Sequence, residues 1–281
     1  MTTINGWEDI EVISVLKSSI KCRVVLCEII GSLQKKVVVK EYKVCELKTQ
    51  QEVDHVWNER RITQLLKGVD GIVDLLGTFK GGGADSGFVC LVFDHVPGKS
   101  LADTCLTDEE DLYAVWIQVV RIVESIHKKG IVHRDIKLGN IIVGESDKVT
   151  LLDFGMAKQI DTCLKRTYSI CGTPYAMAPE QLSAHGYSFP VDLWALGVLL
   201  FEMLEGSFKR DAIVFTRGSF ELQNLIRGLL RIDWKDDLGE PLIDQSFFKR
   251  FGFQDILSHP WVLKHQQVKS EVLCEDPFTD F

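Results

Sequence analysis

Near residue 97 the chain changes character, and that change limits the folds open to it. Ahead of Pro97-Gly98, apolar residues come in short β-branched and aromatic runs at 10–16, 22–30, 35–42 and 88–93. Runs of this kind predict strands. Between them, residues 49–66 predict one helix, with Val53, Val56, Trp57, Leu65 and Leu66 as its apolar positions. Gly81, Gly82, Gly83 and Gly87 predict an exposed hairpin tip. Beyond Pro97-Gly98 the period becomes helical. Thr107 and Glu110 predict a capping box ahead of Leu112, Val115, Val119, Ile122 and Ile126. Residues 191–204 predict a helix buried on nearly all sides. The expected molecule is a small sheet-rich lobe, a short hinge and a larger helical lobe. Clefts between such units commonly hold ligands.

Composition removes several function classes. The 281 residues carry a net charge of −8, which argues against general nucleic-acid or anionic-membrane binding. The longest run of apolar residues and glycine, 193–201, is far short of the ~20 residues that span a bilayer. The N-terminal segment MTTINGWEDIEV has no basic region followed by an apolar run, so a secretory signal is not expected. Eight cysteines occur without a C-x-x-C pair, which predicts reduced thiols and a cytoplasmic or nuclear protein.

The chemistry concentrates downstream of residue 130. His133-Arg134-Asp135-Ile136-Lys137-Leu138-Gly139-Asn140 precedes an apolar run, Ile141-Ile142-Val143. Asp153-Phe154-Gly155 follows, then Cys171-Gly172-Thr173-Pro174, Ala178-Pro179-Glu180, and Asp192 with Trp194 and Gly197. Each triplet alone is a weak signal. In this order and spacing they resemble the eukaryotic protein kinase family. The resemblance covers residues 7–265 and implies a bilobal α+β fold: a small antiparallel lobe at 7–93, a hinge at 94–98, a large lobe at 99–265 and a tail at 266–281.

The resemblance implies roles that fit the chemistry. Phosphoryl transfer is mostly positioning and charge neutralisation. Asp135 would accept the substrate hydroxyl proton. Lys137, at a position typical of serine/threonine kinases, would neutralise the transferring phosphate. Asn140 and Asp153 offer the oxygen ligands that Mg2+ requires. Val37-Val38-Val39-Lys40 is similar to the strand whose lysine holds the ATP phosphates, and Glu59 has the spacing of its ion-pair partner. Leu16, Val24, Val38, Asp94, Val96 and Ile142 would line the adenine site, with Phe93 behind it. Thr173 would contact Asp135 and Lys137. Asp192 would anchor the catalytic-loop backbone, while Phe154 and His133 would be packing residues.

Finer details resemble two kinase groups. Asn58-Glu59-Arg60-Arg61-Ile62, His55 and the stretch from Arg166 to Pro174 are similar to the AGC group, with its cAMP-dependent protein kinase. Lys137-Leu138-Gly139-Asn140 and Ser188-Phe189 look more like polo kinases. Ser169 falls where AGC kinases are phosphorylated, with Arg134, Lys158 and His55 as expected partners of the phosphate. Phe278 and Phe281 are similar to the F-x-x-F that docks on the small lobe of that group.

Several positions depart from the family. Lys17, Ser19 and Cys22 stand where its glycine-rich loop has glycines. The phosphate cradle is therefore expected to be weakened, with Lys17, Lys21 and Arg23 as substitutes. Cys22 is expected over the nucleotide phosphates. Thr63 replaces an apolar spine residue. Asp237 stands where an arginine pairs with Glu180, so that ion pair is expected to be absent. The stretch 206–222 is short, which predicts a truncated docking helix.

The implied activity is transfer of the γ-phosphate of ATP, with Mg2+, to a protein serine or threonine. The alternative is a pseudokinase acting as a scaffold, suggested by the lost glycines. A small-molecule kinase is disfavoured by Thr173, the Ala178-Pro179-Glu180 segment and Asp192. Protein substrates are the implied partners, and an upstream kinase or separate regulatory subunit would supply control.

Overall fold

The computed structural model describes residues 4–32, 34–83, 87–160, 166–182, 186–210, 212–231 and 250–274. The first lobe is built from β1 (Ile10–Ser18), β2 (Cys22–Ile29), β3 (Lys36–Lys43), β4 (Leu75–Gly81) and β5 (Phe88–Asp94). They form one antiparallel sheet in the order β1-β2-β3-β5-β4. Strand alternation sorts the side chains. Val25, Cys27, Val37, Val39, Cys90 and Val92 fill a core on one face. By the same alternation, Val24, Val38, Lys40 and Tyr42 belong to the opposite face.

Four of these strands lie where the β-branched runs predict them. β4 was not predicted. Leu75-Leu76-Gly77-Thr78 has no clean alternation, and the reason is a register shift between Leu75 and Gly77 that leaves Leu76 exposed.

Helix α1 (Gln50–Leu65) sits between β3 and β4 and begins with a capping box. Thr49 Oγ1 accepts from the Glu52 amide at 3.3 Å, and the Glu52 carboxylate accepts from the Thr49 amide at 3.0 Å. Its apolar face is narrower than the sequence suggests. Val56, Ile62 and Leu66 are buried, but Trp57 and Leu65 are exposed.

The second lobe holds β6 (Lys99–Ser100), α2 (Glu109–Lys128), β7 (Ile131–Val132), β8 (Ile141–Val143), β9 (Val149–Leu151), β10 (Lys158–Gln159), α3 (Pro190–Glu205), α4 (Phe220–Leu230), α5 (Phe253–Leu257) and α6 (Pro260–Cys274). The α2 cap differs from expectation by one residue. Asp108 Oδ1 takes the Asp111 amide at 2.9 Å, while Thr107 Oγ1 bonds the Asp111 carboxylate at 3.1 Å. All five predicted apolar positions of α2 are buried. Leu196, Leu199 and Leu200 of α3 are fully closed from water, a burial that stabilises by about 1.5–3 kcal/mol each. Trp116 of α2 donates to the Leu196 carbonyl at 3.0 Å, which fixes α2 against α3.

The expected loss of the Glu180 ion pair is overturned. Arg250 reaches Glu180 with two nitrogens, at 2.6 and 3.3 Å, and also donates to the Pro190 carbonyl at 2.7 Å. The arginine is supplied from a later position than Asp237, which lies outside the described residues. Breaking a buried pair of this kind costs ~3–5 kcal/mol, because one charge is left without its partner. Among the described residues no helix occurs between α3 and α4, in line with the short 206–222 stretch. Phe278 and Phe281 lie outside the described residues.

Candidate active site

Asp192 builds the loop between β7 and β8. It lies in the first turn of α3, fully buried. Its carboxylate accepts the amides of His133 and Arg134, both at 2.8 Å. It also meets the His127 ring at 2.8 Å. Burial opposes its charge, but the His127 ring and the other donors outweigh that and hold its pKa below the usual carboxylate range. Arg134 takes a φ of 68° and Asp153 a φ of 59°. Such left-handed conformations are uncommon for residues with a Cβ and persist only where surroundings impose them. Here Asp192 pins the first. The His133 ring packs edge-on against Phe154 at 4.9 Å beside the second.

Asp135 projects from this loop. It accepts Thr173 Oγ1 at 2.6 Å, Lys137 Nζ at 2.7 Å and Asn140 Nδ2 at 3.0 Å. Lys137 also reaches Thr173 at 3.0 Å. Three donors from two segments therefore fix one carboxylate. Asn140 is tied to the DFG stretch by the Leu152 amide, which donates to its carbonyl at 2.8 Å. Its amide nitrogen is spent on Asp135, so the amide oxygen is the atom left to offer a cation.

The sheet contributes Lys40, ion-paired with Glu59 of α1 and 3.6 Å from Asp153 Oδ2. Burial works against the Lys40 charge, but Glu59 and Asp153 outweigh it and raise its pKa. Burial would likewise raise Asp153, yet Lys40 and then His55 bring it down to about 2. Asp153 is thus ionised at any physiological pH. Its oxygens and the Asn140 amide oxygen are hard ligands of the kind that suit Mg2+, so the donor set fits that ion.

Of the residues expected around adenine, Val24, Val38 and Asp94 lie on paired strands beside Lys40 and Phe93. Val24 pairs with Lys40, Val38 with Phe93, and Val37 with Asp94. Val24, Val38, Asp94, Val96 and Ile142 are half-buried, and Leu16 is exposed on the edge strand β1. Phe93 is buried, with Lys40 Nζ 5.4 Å above its ring.

The β1–β2 turn does not follow expectation. Ser19 closes it on itself: its amide donates to the Cys22 carbonyl at 2.8 Å, and its hydroxyl oxygen accepts the Cys22 amide at 3.1 Å. Two amides of the turn are thereby consumed internally. Lys21 forms an ion pair with Glu52 of α1. Arg23 lies by Glu41 at 3.3 Å and over the Trp7 ring. Neither is placed as a phosphate substitute, because a carboxylate already takes each charge. Lys17 is exposed. Cys22 is half-buried beside Tyr42 and Lys40, and burial pushes its thiol up to about 11. It is a poor nucleophile at neutral pH.

Ser169 is reached by one of its three expected partners. Arg134 donates to Ser169 Oγ at 2.7 Å. Lys158 bonds Thr167 at 3.0 Å instead. His55 packs against Gly155, where an added Cβ would lie 2.1 Å from the ring, so a side chain there would displace it. All four nonetheless line one cavity of about 830 Å³ between α1 and the segment around Ser169.

Three contributors were missed. Tyr42 donates to Glu59 Oε2 at 2.7 Å. It stands two residues after Lys40, and strand alternation was enough to place it on the same face. His127 and Arg250 carried no local signal, since each is defined only by a carboxylate distant in the chain.

Comparison with known proteins agrees with this geometry. The protein kinase domain family matches residues 23–262. A "cAMP-dependent protein kinase, catalytic subunit-like" protein of Caenorhabditis elegans is 32% identical over 235 residues, covering 76% of this chain and 54% of the relative. The mouse "Serine/threonine-protein kinase PAK 1" is 32% identical over 184 residues, covering 61% of this chain and 33% of the relative. The "Serine/threonine-protein kinase STE20" of Eremothecium gossypii is 40% identical over 124 residues, covering 43% and 13%. The chain spans about half the length, or less, of these relatives. With a family match across most of its length and the same residues gathered in one crevice, the chain belongs to the protein kinase family.

Proposed function

We propose that this chain is an ATP-dependent serine/threonine protein kinase with a kinase domain at residues 7–265, a hinge at 94–98 and a tail at 266–281. The observation that carries the reading is the threefold grip on Asp135 by Thr173, Lys137 and Asn140, next to a Lys40–Glu59 pair that reaches Asp153.

In this reading Leu16, Val24, Val38, Val96 and Ile142 enclose the adenine, and the backbone at Asp94 and Val96 meets its polar edge. Lys40, steadied by Glu59, holds the α- and β-phosphates of ATP. Asn140 and Asp153 hold Mg2+, and the chemistry such an ion supplies is neutralisation of charge on the phosphate oxygens. Asp135 orients the acceptor hydroxyl and takes its proton. Lys137 offsets the charge of the phosphoryl group in flight. Thr173 fixes Asp135 and Lys137 together beside the acceptor, as suits a serine or threonine side chain.

Protein substrates are the proposed acceptors. Of the acidic residues that select upstream arginines in cAMP-dependent kinases, Glu202 is kept, while Ser100 and Gly139 replace the others. Selection for basic substrates is therefore weak. Phosphorylation of Ser169 by an upstream kinase would place an anion beside Arg134, within reach of Lys158 and His55; a separate regulatory subunit is the other route of control. Among the described residues no helix is long and apolar enough to cross a membrane. The net charge of −8 speaks against nucleic acid as a partner, and the reduced cysteines favour a cytoplasmic or nuclear setting. The pseudokinase alternative is not favoured, because Lys40, Glu59, Asp135, Lys137, Asn140 and Asp153 are all present and gathered together.

The test is transfer of label from γ-labelled ATP, with magnesium, to a serine- or threonine-containing protein. The wild type is expected to yield phosphoserine or phosphothreonine, and Asp135→Asn to lose at least ~100-fold in rate. Equal incorporation by both proteins would remove the reading.

A further inference from the structure

The strand that presents Lys40 also presents Tyr42, one pleat further along the same face. Tyr42 is 5% exposed and Glu59 is 1% exposed. The Tyr42 hydroxyl donates to Glu59 Oε2 at 2.7 Å, while Lys40 takes Oε1. Both oxygens of the carboxylate thus meet donors from a single strand. One donor would leave the carboxylate free to turn about its terminal torsion. Two donors on two oxygens fix its plane as well as its position.

Helix α1 has reason to need such a hold. Thr63, one turn beyond Glu59, is 1% exposed, and its hydroxyl has no hydrogen-bond partner among the described residues. A buried hydroxyl in that state weakens the packing that would otherwise seat the helix. The hydroxyl of Tyr42 supplies a directional contact from the sheet one turn earlier along α1, at Glu59.

We infer that Tyr42 is a positioning residue of the phosphotransfer site: its hydroxyl locks the Glu59 carboxylate, and through it the Lys40 ammonium, in the geometry that meets the nucleotide phosphates. The inference rests on the kinase reading of Lys40 and Glu59. Tyr42 acts through Glu59 rather than on the reacting atoms. Burial and the adjacent Glu59 charge raise the phenol pKa, so the hydroxyl stays protonated and remains a donor across the physiological range.

The test uses the full chain and Tyr42→Phe, which removes the hydroxyl and keeps the ring. The expected result is a fall in kcat of about tenfold, with KM for the protein substrate changed less than about twofold. In a Glu59→Gln background the same change is expected to add less than about twofold, because the partner it positions is already impaired. Amide exchange across Gln50–Leu65 is expected to quicken in Tyr42→Phe, a readout independent of activity. Unchanged kcat, or losses from the two substitutions that multiply, would overturn the inference. A wild type without any transfer would instead count against the kinase reading, and the exchange across α1 would then decide the Tyr42 contact by itself, an unchanged rate overturning it.

Discussion

A carboxylate in the first turn of an apolar helix shows what one residue can impose. Asp192 is fully buried, and its charge is sustained by two amides and an imidazole that face it. Those bonds in turn shape the loop that carries Asp135. Its folded-state pKa lies below the ordinary value. The stabilisation is therefore full above the unfolded pKa of ~3.9 and is lost as pH falls through the lower folded value. Replacing Asp192 with Asn is expected to cost about 3 kcal/mol at neutral pH. Measured by urea unfolding, the gap to wild type should stay level above pH ~5 and narrow below pH ~4. A gap that widens on acidification would contradict this. The anchoring role of Asp192 was legible in the sequence, since a carboxylate in so apolar a run has to be partnered. His127 was not, because the end of α2 meets Asp192 only once α2 and α3 have packed.

At the scale of elements, the β1–β2 hairpin departs most from what its position suggests. Its three missing glycines were plain in the sequence. What replaced them was not. Side-chain charge at Lys21 and Arg23 looked available for phosphate, but each is taken by a carboxylate of the same lobe, Glu52 or Glu41. The turn spends its amides on itself through Ser19. Changing Lys17, Ser19 and Cys22 together to glycine frees the backbone to approach phosphate. One recovered charge-assisted bond of ~1.5–3 kcal/mol would tighten ATP binding at least about tenfold. Unaltered affinity, measured by nucleotide titration, would show that the hairpin was not limiting. The four strands with dense β-branched runs were readable because their alternation is strong. β4 was not readable, because its register shift breaks the alternation. Arg250 escaped for a related reason: the partner of Glu180 is chosen by tertiary packing, and the aspartate at position 237 told nothing about it.

Across the whole molecule, the change from strand to helix near Pro97-Gly98 and the order of the polar motifs were enough to place the crevice. No local pattern says that Asp153 and Lys40, carried by different lobes, come within 3.6 Å; only the resemblance carried that expectation. What the two lobes jointly create is a pair of cation-ready oxygens beside a phosphate-ready ammonium. Titration of ATP into the wild type and Asp153→Asn, each with and without magnesium, followed by calorimetry, reads that arrangement directly. The wild type is expected to bind ATP more tightly with magnesium, by about tenfold or more, and the variant to lose that dependence while keeping weak binding through Lys40. Binding by the wild type that ignores magnesium, or no binding at all, would contradict the site described.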